Sequence, residues 1–319
     1  MSNKKMQDKY LPFSKKELLL HFSPVGKERE PNENQLNYYI RSIENYEKYK
    51  KNNNNILGKP LHGIKGSCQI QKDERFWTVN TLMNIYYSPN RVNELCILFE
   101  KAFGRKVPIS IETNSWEECL SSDNLKLYFE VDLPSPVAYK EYLCALYEKE
   151  DIQEHQIIPF IIASAHGKKK LEGSTQVDAL IVNPDNGFNV LIEAKVLSDI
   201  SISITYDVVR NQIARNIDVM LESNEKPYTP LGERDPNKSL FLLLTPKLFK
   251  DNPTSRLYGY KIKEYQDKNK GEDALIKDLP HRKEELQDIP SRIGWLTWED
   301  FKEVNKKCSP WSLEKENYL

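Results

Sequence analysis

The chain has 319 residues, 29% of them charged, and a formal net charge of −1. That length allows one large domain or two modest ones, and the near-zero charge provides no global field for nucleic acid, so any such surface must be a local patch. No apolar run reaches the roughly 20 residues of a membrane helix. The basic start MSNKKMQDKYLPF lacks the apolar core of a secretion signal, and the five scattered cysteines (Cys68, Cys96, Cys119, Cys144, Cys308) form no C-x-x-C pair, which predicts reduced thiols in a cytoplasmic protein without zinc-site spacing.

Residues 1–60 read as an N-terminal helical extension, and 61–319 as the main domain. Ser14 can cap a short helix through Leu18–Leu20. A second helix is predicted from Asn34 to Lys50, with Leu36, Tyr39, Ile40, Ile43 and Tyr46 as an apolar stripe and Arg41, Lys48, Lys50 and Lys51 on its other face. Asn52–Asn55, Gly58 and Pro60 resemble a linker. Phe76–Tyr87 is apolar enough to be core, and Ser88-Pro89 starts a helix running to Phe103 and stopped at Gly104. Strands are predicted over Val107–Ile111 and Leu125–Leu133, then a helix over Val137–Glu148. The apolar run Gln156–Ala165 is broken by Pro159, which argues against a central strand. His166-Gly167-Lys168-Lys169-Lys170 is a basic loop whose lysines suit backbone phosphates, although a solvated charge run is the default reading of three lysines.

The stretch from Thr175 to Leu221 carries the chemistry. Gln176–Val182 and Phe188–Val196 are strand-like, and Asn183-Pro184-Asp185-Asn186-Gly187 between them is the strongest turn signal in the chain. A turn centred between Asp185 and Asn186 sets Asn183 opposite Phe188, Asp178 opposite Glu193 and Gln176 opposite Lys195. With a side-chain period of two, Asp178, Glu193 and Lys195 then share one face. Carboxylates opposed across a sheet repel, so a bound cation would account for their placement. Two carboxylates and a backbone carbonyl, here Ala194, suit Mg²⁺, with Mn²⁺ as the alternative. The lysine can orient the attacking water and hold a phosphate.

Asp178, followed fifteen positions later by Glu193-Ala194-Lys195, on a hairpin that leads into a helix, resembles the PD-(D/E)xK, or restriction-endonuclease-like, nuclease superfamily. The resemblance covers about a third of the chain. It implies an α/β fold with a central mixed sheet flanked by helices, Mg²⁺-dependent hydrolysis of DNA phosphodiester bonds, and a restriction or defence endonuclease. Asp178 and Glu193 would hold the metal and Lys195 would place the water. In this family the helix before the sheet often bears a glutamate that reaches the metal, a role that R-x-N-E-L would give to Glu94. A glutamine on the helix after the hairpin often lies beside the site, which points to Gln212; the exonuclease branch follows that glutamine four residues later with tyrosine, and here Asn216 stands there.

That helix is predicted over Tyr206–Leu221, with Val209, Ile213, Ile217 and Met220 toward the sheet and Gln212 and Arg215 as contacts to phosphate or to metal-bound water. Ser239–Leu244 is a buried strand beside the hairpin, Ile293–Thr297 a late strand, and Trp298 opens a final helix, with Trp295, Trp298 and Trp311 in the core. The excess length around 105–170 is an insertion suited to substrate choice. A homodimer would suit double-strand cleavage, and a helicase or methyltransferase of a defence system would be a separate chain. Two rival readings stand beside this one: a catalytically silent module that binds DNA or protein, and an unrelated α/β protein whose hairpin charges are a structural network.

Overall fold

The computed structural model describes residues 10–24, 32–52, 70–109, 115–147, 173–201, 210–223 and 231–308. Five strands form one mixed sheet in chain order: β1 (Lys126–Leu133), β2 (Thr175–Val182), β3 (Asn189–Ala194), β4 (Ser239–Thr245) and β5 (Ile293–Thr297). β1, β2 and β3 are antiparallel neighbours, whereas β3–β4 and β4–β5 are parallel. A parallel pair needs a long crossover, and both crossovers here carry helices. The described helices are α1 (Lys15–His21), α2 (Glu33–Asn52), α3 (Glu74–Tyr86), α4 (Arg91–Phe103), α5 (Trp116–Leu120), α6 (Val137–Tyr147), α7 (Gln212–Leu221), α8 (Lys247–Asp251), α9 (Leu257–Tyr265), α10 (Gly271–Asp278) and α11 (Trp298–Val304). The fold is therefore α/β, a mixed sheet flanked by helices. No helix among the described residues is long and apolar enough to cross a membrane.

Helices cover both faces, so β3 and β4 are buried along their whole length and apolar at their centres without alternation. One core joins Ala179, Ile181, Ile192 and Leu242 to Leu18, Tyr39, Phe76 and Leu98 from α1–α4. The other joins Leu180, Leu191, Phe241 and Leu243 to Ile213 and Ile217 of α7 and to Tyr258 and Leu275. The N-terminal helices are thus part of the sheet's own packing. Ser14 caps α1 in a capping box with Glu17. Leu36, Tyr39, Ile43 and Tyr46 of α2 are buried as the stripe predicts. Phe22 bridges Phe129 on the outer edge of β1. At the opposite edge, Gln266 Nε2 and Lys250 Nζ donate to the carbonyls of Ile293 and Trp295, at 2.7 and 2.5 Å. Both edges are thereby protected from pairing with another sheet.

The predicted hairpin register holds from Asn183–Phe188 to Ala179–Ile192, and the expected pairs Asp178–Glu193 and Gln176–Lys195 lie beyond the end of the ladder. Asn183 donates to the Phe188 carbonyl at 2.8 Å, and Val182, Ile181, Leu180 and Ala179 face Asn189, Val190, Leu191 and Ile192. β1, β4, β5 and the start of α11 also lie where the sequence places them. The differences have physical reasons. Phe76–Tyr86 is helical and buried on nearly every side, so it has no apolar stripe to reveal its period. α4 begins at Arg91 with Asn90 at its N-cap, while Ser88 accepts from the Asn90 amide at 3.2 Å. Val107 and Ile109 pack in the core without joining the sheet. The described part of the predicted helix 206–221 begins at Gln212, where Asn211 caps it by accepting from the Ile213 and Ala214 amides. Residues 156–165 and Trp311 lie outside the described residues.

Gly187 closes the hairpin with φ +76°, and a Cβ there would lie 2.9 Å from Asp235 Cβ. The left-handed conformation alone costs an L-residue about 1–2 kcal/mol. Gly187→Ala is expected to lower unfolding free energy by about 1–3 kcal/mol in urea titrations; a loss below about 0.5 kcal/mol would contradict this account of the turn.

Candidate active site at the fork of the hairpin

β2 and β3 part where the predicted acids lie. The ladder between them ends at Ala179–Ile192, and the Asp178 side chain takes over: its Oδ2 accepts from the Ala194 amide at 2.7 Å. Val177 packs in the same core as Leu180 and Val182, so the two-residue alternation breaks at Asp178. The expectation of three charged groups on one regular face is corrected accordingly. Strand β1 breaks in register with it: Phe129 and Val131 face Ala179 and Val177, and Glu130 between them has φ +54°, uncommon for a residue with a side chain.

Glu193 is 2% exposed and Lys195 4%. Lys195 Nζ donates to Glu193 Oε1 at 2.5 Å and to the Ala194 carbonyl at 3.1 Å. Gln212 Nε2 donates to Glu193 Oε1 at 2.6 Å, and Asn216 Nδ2 to Oε2 at 2.9 Å. One turn of α7 thus clamps the glutamate from the far side. Gln212 is itself tied to the loop after β3, since its Oε1 accepts from the Ser201 amide at 3.3 Å.

The structure brings together Asp178, Glu193, Ala194, Lys195 and Gln212. Arg215 is half-buried on the same helix, but the bond to Glu193 comes from its neighbour Asn216. Glu94 is not part of this group: Ser88 Oγ donates to it at 2.8 Å and Asn305 Nδ2 at 3.2 Å. The glutamate that does approach is Glu74, at the start of α3, with Oε1 3.8 Å from Lys195 Nζ and Oε2 accepting from Ser198 Oγ at 2.7 Å. Glu74 follows the Asp73 N-cap, a signal that marks a helix start without saying what the helix approaches. Lys168, Lys169 and Lys170 lie outside the described residues.

The electrostatics are lopsided. Desolvation, then the Glu193 charge, pushes the Asp178 carboxyl well above the ordinary carboxylate range, with Glu74 and Glu130 adding to the effect and Lys195 opposing it. Burial pushes the Glu130 carboxyl up to about 7, against the pull of Arg75. Burial disfavours charge on Lys195, but Glu193, Asp178 and Glu74 together hold its pKa above that of an ordinary lysine. Three neighbouring carboxylates thus act on Asp178, and Glu193, Asp178 and Glu74 act on Lys195.

That donor set fits a divalent cation. Asp178, Glu193 and the Ala194 carbonyl are hard oxygen donors, and a cation would offset the Glu193 charge that opposes ionisation of Asp178. Asn216 Oδ1, beside Glu193, is buried without a hydrogen-bond partner among the described residues. Among the described residues no group of three or more His, Cys, Asp or Glu side chains is arranged to hold a metal ion, so the fit rests on two carboxylates and a carbonyl. An open groove of about 1060 Å³ elsewhere, lined by Tyr87, Asn90, Arg91 and Trp116, includes none of these acids. No family model, curated protein or solved structure matches the chain.

Proposed function

We propose that the chain is a Mg²⁺-dependent phosphodiesterase acting on DNA, with a restriction-endonuclease-like core and a restriction or defence role. The observation that carries the reading is the convergence of Asp178, Glu193 and Lys195 at the fork of one hairpin, joined by Glu74 and by the Gln212–Asn216 clamp. The meander β1–β2–β3 followed by parallel β4 supports it. The DNA preference and the defence role rest on the sequence resemblance.

In this reading Asp178, Glu193 and the Ala194 carbonyl would hold the metal. When bound, a divalent ion lowers the pKa of water and stabilises charge on a phosphate oxygen. The chain's own residues do the rest. Lys195 carries a permanent charge at the donor set and orients water or a phosphate oxygen. Gln212 and Asn216 fix the Glu193 carboxylate, and Glu74 holds Lys195 from the other side.

One observation favours a silent binding module instead: both Glu193 oxygens are engaged by protein donors, so one of these bonds must yield for an ion to enter. The deciding experiment incubates supercoiled plasmid and linear single- and double-stranded DNA with Mg²⁺, Mn²⁺ or EDTA, comparing wild type with Glu193→Ala and Lys195→Ala. Metal-dependent cleavage that both substitutions abolish is expected. A folded protein with neither cleavage nor a Mg²⁺-dependent rise in Tm would overturn the reading.

A further inference from the structure

Lys195 is the first residue beyond β3, and its backbone is held from both sides. Its amide donates to the Leu244 carbonyl at 2.8 Å, which continues the parallel ladder with β4. In a continued parallel ladder the Lys195 carbonyl would accept from the amide of residue 246. Residue 246 is proline, which has no N–H. The missing donor comes from elsewhere in the chain: Trp298 Nε1 donates to the Lys195 carbonyl at 3.1 Å, in a buried contact.

Trp298 is the first residue of α11, and the Thr297–Asp300 capping box fixes that helix start. Its ring is 1% exposed and packs on Trp77 of α3, with centroids 5.5 Å apart. α3 is also the helix whose first residue, Glu74, approaches the Lys195 ammonium. One indole therefore ties the backbone of Lys195 to the helix that meets its side chain.

We propose that Trp298 is the positioning residue for Lys195, replacing the ladder bond that Pro246 cannot make. This rests on the nuclease reading only in assigning Lys195 a catalytic task. The indole bond fixes the peptide that follows Lys195, so Nζ stays directed at Glu193 and the Ala194 carbonyl. Without the bond the Lys195–Val196 peptide rotates more freely and the ammonium spends less time at the reacting centre, where displacements of an ångström are costly.

The test compares Trp298→Phe with Trp295→Phe. Trp295 is a matched control: it is also buried, and its indole donates to Thr245 Oγ1 at 2.8 Å. Trp298→Phe is expected to lower kcat about tenfold with KM within about twofold of wild type, and Trp295→Phe to leave both within about twofold. Amide exchange, read without metal or DNA, should quicken at Val196 in Trp298→Phe and stay at wild-type rates over Ala179–Val182. Equal kcat losses in the two variants, or unchanged exchange at Val196, would overturn the proposal. If the wild type neither cleaves DNA nor melts higher with Mg²⁺, the nuclease reading fails and the exchange experiment still decides whether Trp298 holds Lys195. If Trp298→Phe does not fold, Trp298→His, which can retain a ring N–H, takes its place, and exchange at Val196 near the wild-type rate is the expected result.

Discussion

Asp178→Asn and Glu193→Gln are each expected to reduce single-turnover DNA cleavage at saturating Mg²⁺ by about a thousandfold or more. Each removes one of the two carboxylates available to a metal, and charge on the leaving oxygen must be stabilised for the bond to break. Their effects on stability should diverge. The Asp178 carboxyl titrates well above its ordinary range because it is desolvated and faces Glu193. Its folded pKa is therefore raised above the unfolded value of about 3.9. The stability tied to its proton is fully present below that unfolded value and is lost as pH rises through the folded one. Asparagine carries no such penalty, and its amide oxygen can still accept from the Ala194 N–H. In EDTA, Asp178→Asn should melt above wild type, by a margin that widens as pH rises from about 4. Mg²⁺ should raise the Tm of wild type alone. Glu193→Gln should melt below wild type, because it leaves the buried Lys195 ammonium without its closest counter-charge. If Asp178→Asn proves less stable in EDTA at neutral pH, the carboxylate is not under the strain described. If it retains cleavage, it is not a metal ligand.

How much of this was legible in the sequence depends on how local each cause is. The hairpin register follows from turn chemistry and the two-residue period, so Asp178, Glu193 and Lys195 could be brought together from residue order alone. The fork at Asp178 could not, because it lies in register with a break in β1 at Glu130, across a pairing no local pattern announces. Gln212 and Asn216 are four apart on one helix, and that spacing says they share a side; that both meet Glu193 depends on how α7 lies on the sheet. Arg215 was the more conspicuous residue for its charge, yet the neutral amide beside it makes the bond. Glu74 and Trp298 approach Lys195 from positions 121 and 103 residues away in the chain, and only the packing of α3 and α11 brings them there. Glu94 is the reverse case: it lies on α4, the helix after the one whose first residue, Glu74, approaches Lys195. The N-terminal residues looked separable because the linker-like stretch after α2 is a strong local signal, whereas their burial against β1 is not encoded nearby.

Asp218→Ala is expected to cost about 3–5 kcal/mol of unfolding free energy in urea, the largest stability loss predicted for a single substitution in this chain. Asp218 lies on α7 and its side chain is fully buried. It accepts from Arg282 Nε at 2.8 Å, from His281 Nε2 at 3.0 Å and from Arg210 Nη1. Arg210 in turn lies over the Tyr139 ring at 3.4 Å. A buried pair of this kind adds little over a well-packed apolar substitute, but deleting one partner leaves desolvated charge behind. Here the deletion takes the shared carboxylate from two guanidinium groups at once. Burial alone would raise the Asp218 pKa; the His281 bond and the Arg210 and Arg282 charges override it and hold the pKa below the ordinary value. The stability it contributes is thus present above the unfolded pKa near 4 and is lost as pH falls through the folded one. Wild type should accordingly lose Tm on acidification below about pH 4 more steeply than Asp218→Asn, which has no carboxylate to protonate. Because Asp218 anchors the helix that carries Gln212 and Asn216, Asp218→Asn should also loosen the clamp on Glu193 and lower cleavage under conditions where the variant is still fully folded. A loss below about 1 kcal/mol in Asp218→Ala would mean that the cluster relaxes around the missing carboxylate, and that packing against the sheet alone holds α7.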